Sequence, residues 1–355
     1  MRDMGKYIID IEVKKVNNAG FKLRRDFNCF ASNSNYESLK IWFPRFENFL
    51  INLLFINIYS VLLFVRYLFF FEKGSMLLIQ YPLSFKYINS FLWIRKIRTI
   101  KVGILINDLD SLRHKSHIKK EFKLLQKLDY IISPNRSMSS YLSSNDVNVP
   151  LINMKMYDYK VDIDQNKFEE RGFSGNKTIV VFAGNLKKNK SGFIYSLSEV
   201  AGQNFSFHLY GDNYHKESIT TDKIKHMGTF APDKIDKLTG DYGLVWDGPD
   251  TNTCSGNYGS YLKLNNQHKT SLYLTAGLPV ITWDKSAISE FIISNNIGIC
   301  VGSLSELSEV LGRITKDEYQ QMKNNALDIS CKLKQGYYLG NAIKASEALF
   351  LHQMP

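Results

Sequence analysis

Short β-forming runs, each closed by glycine, proline or an acid and separated by helical stretches, recur along this chain. That rhythm narrows its fold more than any other feature. In the front half the runs are residues 7–13, 76–80 and 101–106; Pro82 ends the second, and "NDLDSLR" begins where the third stops. The back half repeats the pattern with "TIVVFAG", "FSFHLYG", "GLVW" and "LPVITW". Strands alternating with helices predict an α/β fold, a parallel sheet with helices on its faces. At 355 residues the chain exceeds what one hydrophobic core usually organises, so two such domains are expected. The stretch "YDYKVDIDQNKFEERGFSGNK", residues 157–177, is polar, charged and nearly devoid of aliphatic side chains. It reads as the linker and places the boundary near residue 170, giving domains 1–170 and 171–355.

Charge narrows the partners. The 45 Lys and Arg against 34 Asp and Glu leave a net +11, which favours anionic partners such as acidic lipid or a phosphorylated small molecule. Basic residues interleaved with aromatics on one recognisable module are missing, which argues against nucleic acid. Four cysteines, Cys29, Cys254, Cys300 and Cys331, stand at no short metal or redox spacing, as expected of a reduced cytoplasmic protein. The first residues alternate charged and apolar side chains where a signal peptide holds an unbroken apolar core. Residues 49–71, "FLINLLFINIYSVLLFVRYLFFF", are long enough to span a bilayer, yet contain Asn52, Asn57 and Arg66. The favoured reading is a helix of a soluble domain with an unusually apolar surface; a spanning helix and a helix lying on the membrane are the alternatives.

The chemistry concentrates in "LNNQHKTSLYLTAGLPVITWD", residues 264–284. With Asn265 or Asn266 as the cap, a helix runs to Thr275, Gly277 takes the left-handed terminal position and Pro279 blocks continuation. Lys269, Thr270 and Ser271 then lie in or near the first turn, where unpaired N–H groups and the positive end of the dipole favour an anion. The alternative is a capped, solvated surface helix. In a doubly wound sheet ligands bind beyond the carboxyl ends of strands. "FAGNLKKN" puts Gly184, Asn185 and Lys187 there, "HLYGDN" puts Tyr210 and Gly211, and "VWDG" puts Asp247. Glycines admit a ligand close to backbone, and Tyr210 is suited to stack on a base or ribose. Several strand ends converging on one anion point to a nucleotide diphosphate. Farther on, Ser303 with Glu306 and Thr315 with Glu318 fit capping boxes that open helices of the tail.

"GLVWDG", "GSYLKLNNQHKTSLYLTAGLPVITW" and "NNIGICV" closely resemble the carboxyl-terminal half of bacterial GT-B glycosyltransferases. The group is that of the β-1,6-galactofuranosyltransferases of polysaccharide assembly and the glucosyltransferases that extend glycans on adhesins. "NAGFKLRRD", "IQYPL" and "INDLDSLR" resemble its front half, so the likeness covers most of the chain. It implies two Rossmann-like domains facing a cleft, with the C-terminal helices packing back toward the N-terminal domain. It also implies transfer of a hexose, galactofuranose first, from a UDP-sugar to a saccharide acceptor that is lipid-linked at the inner face of the membrane. Gly20 and Lys22 fall on the acceptor-side loop; their alternative is an ordinary turn with a solvated lysine. The family motif carries His before the first Asp of "DLDSLR", where this chain has Asn107, leaving Asp108 as the proton acceptor or a turn residue. Glucosyl transfer to a glycoprotein and a catalytically silent partner protein are the competing functions, and oligomeric state stays open. "DLD" also mimics the metal-binding pair of the other glycosyltransferase architecture. There the nucleotide site would lie in the front half, so no metal or other cofactor is expected here.

Overall fold

A computed structural model describes residues 5–12, 19–42, 46–109, 111–112, 118–163, 177–215 and 221–350. The chain forms two compact units, residues 1–154 with 338–355, and residues 155–337.

Unit 1 is built on β1 (Lys6–Glu12), β2 (Glu37–Trp42), β3 (Met76–Tyr81), β4 (Lys101–Ile106), β5 (Tyr130–Ser133) and β6 (Leu151–Asn153). They lie in the order β2-β1-β3-β4-β5-β6, every pair parallel. "MLLIQY" and "YIIS" are buried at every position, as strands covered on both faces must be. The crossovers include α1 (Ala19–Ser32), α2 (Phe49–Leu68) and α3 (Phe85–Arg98). In α1, Leu23, Phe27, Phe30 and Ala31 recur at helical spacing and are buried.

Unit 2 holds β7 (Thr178–Ala183), β8 (Phe205–Tyr210), β9 (Ile224–His226), β10 (Tyr242–Val245), β11 (Val280–Trp283) and β12 (Gly298–Val301). Their order is β12-β11-β10-β7-β8-β9, again all parallel. The α/β class and the doubly wound sheets expected of the alternating runs are thus present in both units.

Local signals were mostly obeyed. Both capping boxes form, Ser303 with Glu306 ahead of a single 3-10 turn and Thr315 with Glu318 ahead of the helix Lys316–Gln335. Gly336 ends that helix in the left-handed region. The last helix, Tyr337–Ala348, then belongs to unit 1, where Glu347 pairs with Lys6 at 2.9 Å and Phe350 packs against Tyr130. Between β7 and β8, Gly192–Ser196 is a 3-10 turn and Leu197–Val200 a short helical turn, rather than one continuous helix.

The division falls at Met154 rather than near residue 170, because the start of the polar stretch is not a linker. Tyr157 and Tyr159 are buried in unit 2; Tyr159 donates its hydroxyl to Pro232 O (2.7 Å) and its N–H to Leu333 O (3.2 Å). Residues 164–176, the rest of that stretch, lie outside the described residues.

Helix α2 is the crossover between β2 and β3, strands that flank β1 in one sheet. It lies along unit 1, with Leu63 and Tyr67 buried and Ser90 of α3 donating to Ser60 O (2.8 Å). That placement is of a crossover helix, although Leu50–Leu68 is also long and apolar enough to cross a membrane. Its outer face, however, is apolar and open.

Candidate functional site

In unit 2 the chain runs from β7 outward through β8 to β9, then returns to the other side of β7 with β10, β11 and β12. The switch point is therefore between β7 and β10, and the crevice beyond their carboxyl ends is where an open α/β sheet receives a ligand. Gly184 follows β7, and Trp246 and Asp247 follow β10.

Lys269 stands across this crevice. It is the second residue of α4 (His268–Thr275). Its Nζ donates to Trp246 O (3.2 Å) and Asp247 Oδ1 (3.1 Å), lies 4.4 Å from the centroid of Phe182, and would be 4.0 Å from a Cβ on Gly184. Burial pushes its ammonium below the ordinary lysine value, opposed by the neighbouring Asp247 carboxylate, while Lys190 adds to the downward pull. An ammonium has three donors, and protein oxygens take two of Lys269's. An arriving anion meets a fixed cation in a site with little water, where charge counts for most.

Gly211 shapes the neighbouring strand end. Its φ of +149° is open to glycine, and a Cβ there would lie 1.7 Å from Gly184 O. The ends of β7 and β8 approach so closely only because Gly211 lacks a side chain; a Cβ on Gly184 would meet nothing nearer than the Phe182 ring at 3.6 Å.

Several other expected site residues hydrogen-bond within the protein. Gln267, not Asn265 or Asn266, takes the N-cap position of α4, with no side-chain bond. Asn265 accepts from the Tyr157 hydroxyl (2.9 Å) and Asn266 donates to Lys155 O (2.8 Å). Ser271 donates to Tyr157 O (2.5 Å) and is fully buried. These three hold residues 155–157 against the start of α4; the Asn265 and Asn266 side chains do not cap the helix, and the Ser271 hydroxyl expected at the diphosphate is bonded to Tyr157 O. Thr270 is also buried, and its hydroxyl has no partner among the described residues. Asn185 Oδ1 accepts from Lys187 N–H and Asn213 Nδ2, both at 3.0 Å, and Lys187 is exposed ahead of a helical turn. Tyr210 is no open stacking platform. It is 4% exposed, packs edge-on against Phe230, and shares hydrogen bonds with Thr239. With Met227, Phe230 and Lys234 it walls a cavity of about 280 Å³.

In unit 1 the corresponding switch lies between β1 and β3, with β4 next to β3. Asn107 follows β4, buried, its N–H donating to Tyr81 O (3.0 Å). Asp108 follows, half-buried; Asp110 lies outside the described residues. Gly20 and Lys22 are not in a loop. Both lie in the first turn of α1, and Lys22 is buried in an ion pair with Asp26 one turn on, not solvated. Arg24 instead reaches the end of β3, donating to Pro82 O (2.6 Å) and Gln80 O (3.2 Å). Among the described residues no three His, Cys, Asp or Glu side chains gather as metal ligands.

Comparison with known proteins matches residues 5–156 to the glucosyltransferase 3-like N-terminal domain and residues 180–346 to the glucosyltransferase 3-like C-terminal domain. The β-1,6-galactofuranosyltransferase WbbI of Escherichia coli (strain K12) is 32% identical over 332 residues, covering 92% of this chain and 93% of that protein. The chain belongs to the glucosyltransferase 3-like family. Glucosyltransferase 3 of Streptococcus gordonii is 25% identical over 251 residues, 68% of this chain and 70% of that protein. Among solved structures, trehalose-6-phosphate from E. coli bound with UDP-2-fluoro glucose shares the fold (TM-score 0.60, 8% identity, 96% of this chain and 98% of that one). The two-domain GT-B glycosyltransferase architecture is therefore that of this family member.

Two charged residues of this glucosyltransferase 3-like chain escaped the sequence reading. Lys190, one helical turn past Lys187, acts electrostatically on Lys269; the i, i+3 spacing in "LKKNK" was its only signal. Glu121 is buried, with its carboxylate accepting from the hydroxyls of Tyr81 and Ser111. Nothing in "IKKEFKLL" separates it from the solvated charges beside it.

The reassignment of Ser271 has a measurable consequence. Ser271→Ala removes a buried hydrogen bond and leaves Tyr157 O short of a partner, which costs about 1–3 kcal/mol. We expect a lower Tm with UDP affinity within about twofold of wild type; a large loss of affinity with unchanged Tm would return Ser271 to the ligand.

Proposed function

We propose that the chain transfers galactofuranose from UDP-galactofuranose to a saccharide acceptor during assembly of a cell-surface polysaccharide. The observation that carries this is Lys269, fixed at the switch point of unit 2 between Gly184 and Asp247. A sugar nucleotide leaves a diphosphate on which charge builds as the anomeric C–O bond breaks. Lys269 meets that charge, with Lys190 and the Thr270 hydroxyl in support. The nucleoside end occupies the cavity beside Tyr210. The choice of sugar rests on the 32% identity with a galactofuranosyltransferase across nearly the whole chain, against 25% over a shorter span with a glucosyltransferase.

The acceptor oxygen attacks the anomeric carbon, the C–O bond to the β-phosphate breaks, and its electron pair leaves on UDP. The acceptor proton goes to Asp108. Lys269 supplies the positive charge that a divalent ion supplies in other sugar-nucleotide enzymes, so transfer needs no metal. The acceptor is lipid-linked, and the basic chain works in the cytoplasm at the inner membrane face.

A panel of UDP-galactofuranose, UDP-galactopyranose and UDP-glucose, with hexose- and N-acetylglucosamine-terminated lipid acceptors and excess EDTA, tests this. Transfer from UDP-galactofuranose is expected, undiminished by EDTA. Transfer from UDP-glucose alone would assign the chain to the glucosyl branch. Activity abolished by EDTA and restored by manganese would give the diphosphate a metal. UDP binding without any transfer would favour a silent partner protein.

A further inference from the structure

Helix α2 buries one stripe and offers the opposite one to solvent. Leu63 and Tyr67 face the unit, whereas Leu54, Ile58, Val61 and Val65, at spacings of four, three and four, are 61, 54, 61 and 53% exposed. A soluble crossover helix normally carries polar residues there. Right-handed crossovers put α2 and α3 on the same face of the sheet, and the Ser90–Ser60 bond makes them neighbours. Trp93 and Ile97, one turn apart on α3, are also exposed and extend the apolar surface. Contiguous apolar surface of this kind marks an interaction site.

Its border is cationic. Neither helix contains an acidic residue, while α2 carries Arg66 and α3 carries Lys86, Arg95, Lys96 and Arg98. Arg95 is paired with Asp129, but Arg66, Lys86 and Lys96 are exposed, and Lys96 lies 4.9 Å from the Trp93 ring. Trp42, edge-on to Phe55 of α2 at 5.0 Å, and Phe69 just past the helix end are exposed as well. An apolar helix face flanked by aromatics and edged within α2 and α3 by basic residues alone, with Glu47 and Glu72 the acids beyond the two helix ends, complements an anionic bilayer, into which such a helix sinks to the depth of the acyl boundary. A second copy would bring two basic borders together around the same patch, which like-charge repulsion opposes. A spanning orientation is incompatible with the crossover between β2 and β3.

We propose that the outer face of α2, extended by Trp93 and Ile97, is a membrane-docking surface that lies in the interface of an anionic bilayer. The proposal deepens the membrane side of the function above and rests on it for its use; the sugar-nucleotide chemistry stands apart. The full chain should float with phosphatidylcholine vesicles containing phosphatidylglycerol and much less with phosphatidylcholine alone, and alkaline wash should release it. Trp42 and Trp93 are exposed while Trp246 and Trp283 are buried, so a vesicle-induced blue shift in fluorescence reports this face. Leu54→Glu/Val61→Glu/Val65→Glu changes only exposed positions and is expected to reduce the floated fraction at least about tenfold, with UDP affinity and Tm unchanged. Failure of wild type to float, equal flotation of the triple variant, or release only by detergent overturns the proposal. So does a concentration-dependent dimer that the triple substitution dissociates while vesicles are not bound. Loss of UDP binding in wild type would speak against the nucleotide reading alone.

Discussion

Replacing Lys269 by Met, with Asp247→Asn alongside it, is expected to slow transfer about a hundredfold, the loss of about 3 kcal/mol of transition-state stabilisation. The second substitution matters because of burial. Lys269 is not a solvated lysine: its side chain is 12% exposed and that of its partner Asp247 is 4% exposed. Removing the ammonium alone leaves a buried carboxylate uncompensated, which costs about 3–5 kcal/mol and would confuse lost chemistry with lost folding. Asn at 247 removes that charge, and Met keeps an apolar stem beside Phe182. Stability should stay near wild type while UDP affinity and turnover fall. Unchanged turnover would remove Lys269 from the mechanism.

The same lysine predicts how pH acts. Burial holds its pKa below the ordinary lysine value. The cation that meets the diphosphate is therefore lost as pH rises through that lowered pKa, and UDP affinity should fall at a pH where exposed lysines are still charged. Stability moves the other way: between the two values the unfolded chain binds more protons, so ΔG of unfolding rises with pH from this group. Calorimetric UDP affinity and denaturant unfolding across the alkaline range, each compared with the Lys269→Met/Asp247→Asn pair, should show opposite slopes. Parallel slopes would mean that another group titrates.

Strands such as Lys101–Ile106 and Val280–Trp283 are readable because a central parallel strand must be apolar at nearly every position. Ile224–His226 and Leu151–Asn153 escape, since three residues at a sheet edge carry too short a pattern. The α4 segment shows where the site reading stops. Its helix, its left-handed Gly277 and the strand after it are local events, and local residue types announce them. The partners of Asn265, Asn266 and Ser271 are residues 155–157, more than a hundred positions upstream. Polar side chains in front of a helix therefore look alike, whether they wait for a phosphate or pin a distant segment. Lys269 differs only in reaching the strand ends, which spacing along the chain does not reveal. Lys22 shows the same limit in unit 1, where a lysine that reads as solvated is buried against Asp26.

Asp108→Asn is expected to cut transfer by about a hundredfold or more while leaving UDP affinity intact. The reasoning starts from position. Asp108 follows β4 at the carboxyl end of the unit 1 sheet, half-buried, in the kind of place where α/β folds keep their reactive groups. The residue before it, Asn107, has no proton-accepting nitrogen of the kind histidine offers, so the neighbouring carboxylate is left to take the acceptor's proton. Asparagine keeps the size and much of the hydrogen bonding of Asp108 but cannot act as the base. The UDP site lies in unit 2 and should not register the change. Glu121 provides the contrast, because both of its oxygens are already engaged by Tyr81 and Ser111. Glu121→Gln should lower Tm and leave the pH dependence of transfer in place, whereas Asp108→Asn should abolish the acid limb of kcat/KM at unchanged Tm. If Asp108→Asn retains near-normal turnover, or loses UDP binding together with stability, the base lies elsewhere and Asp108 is a turn residue that closes β4.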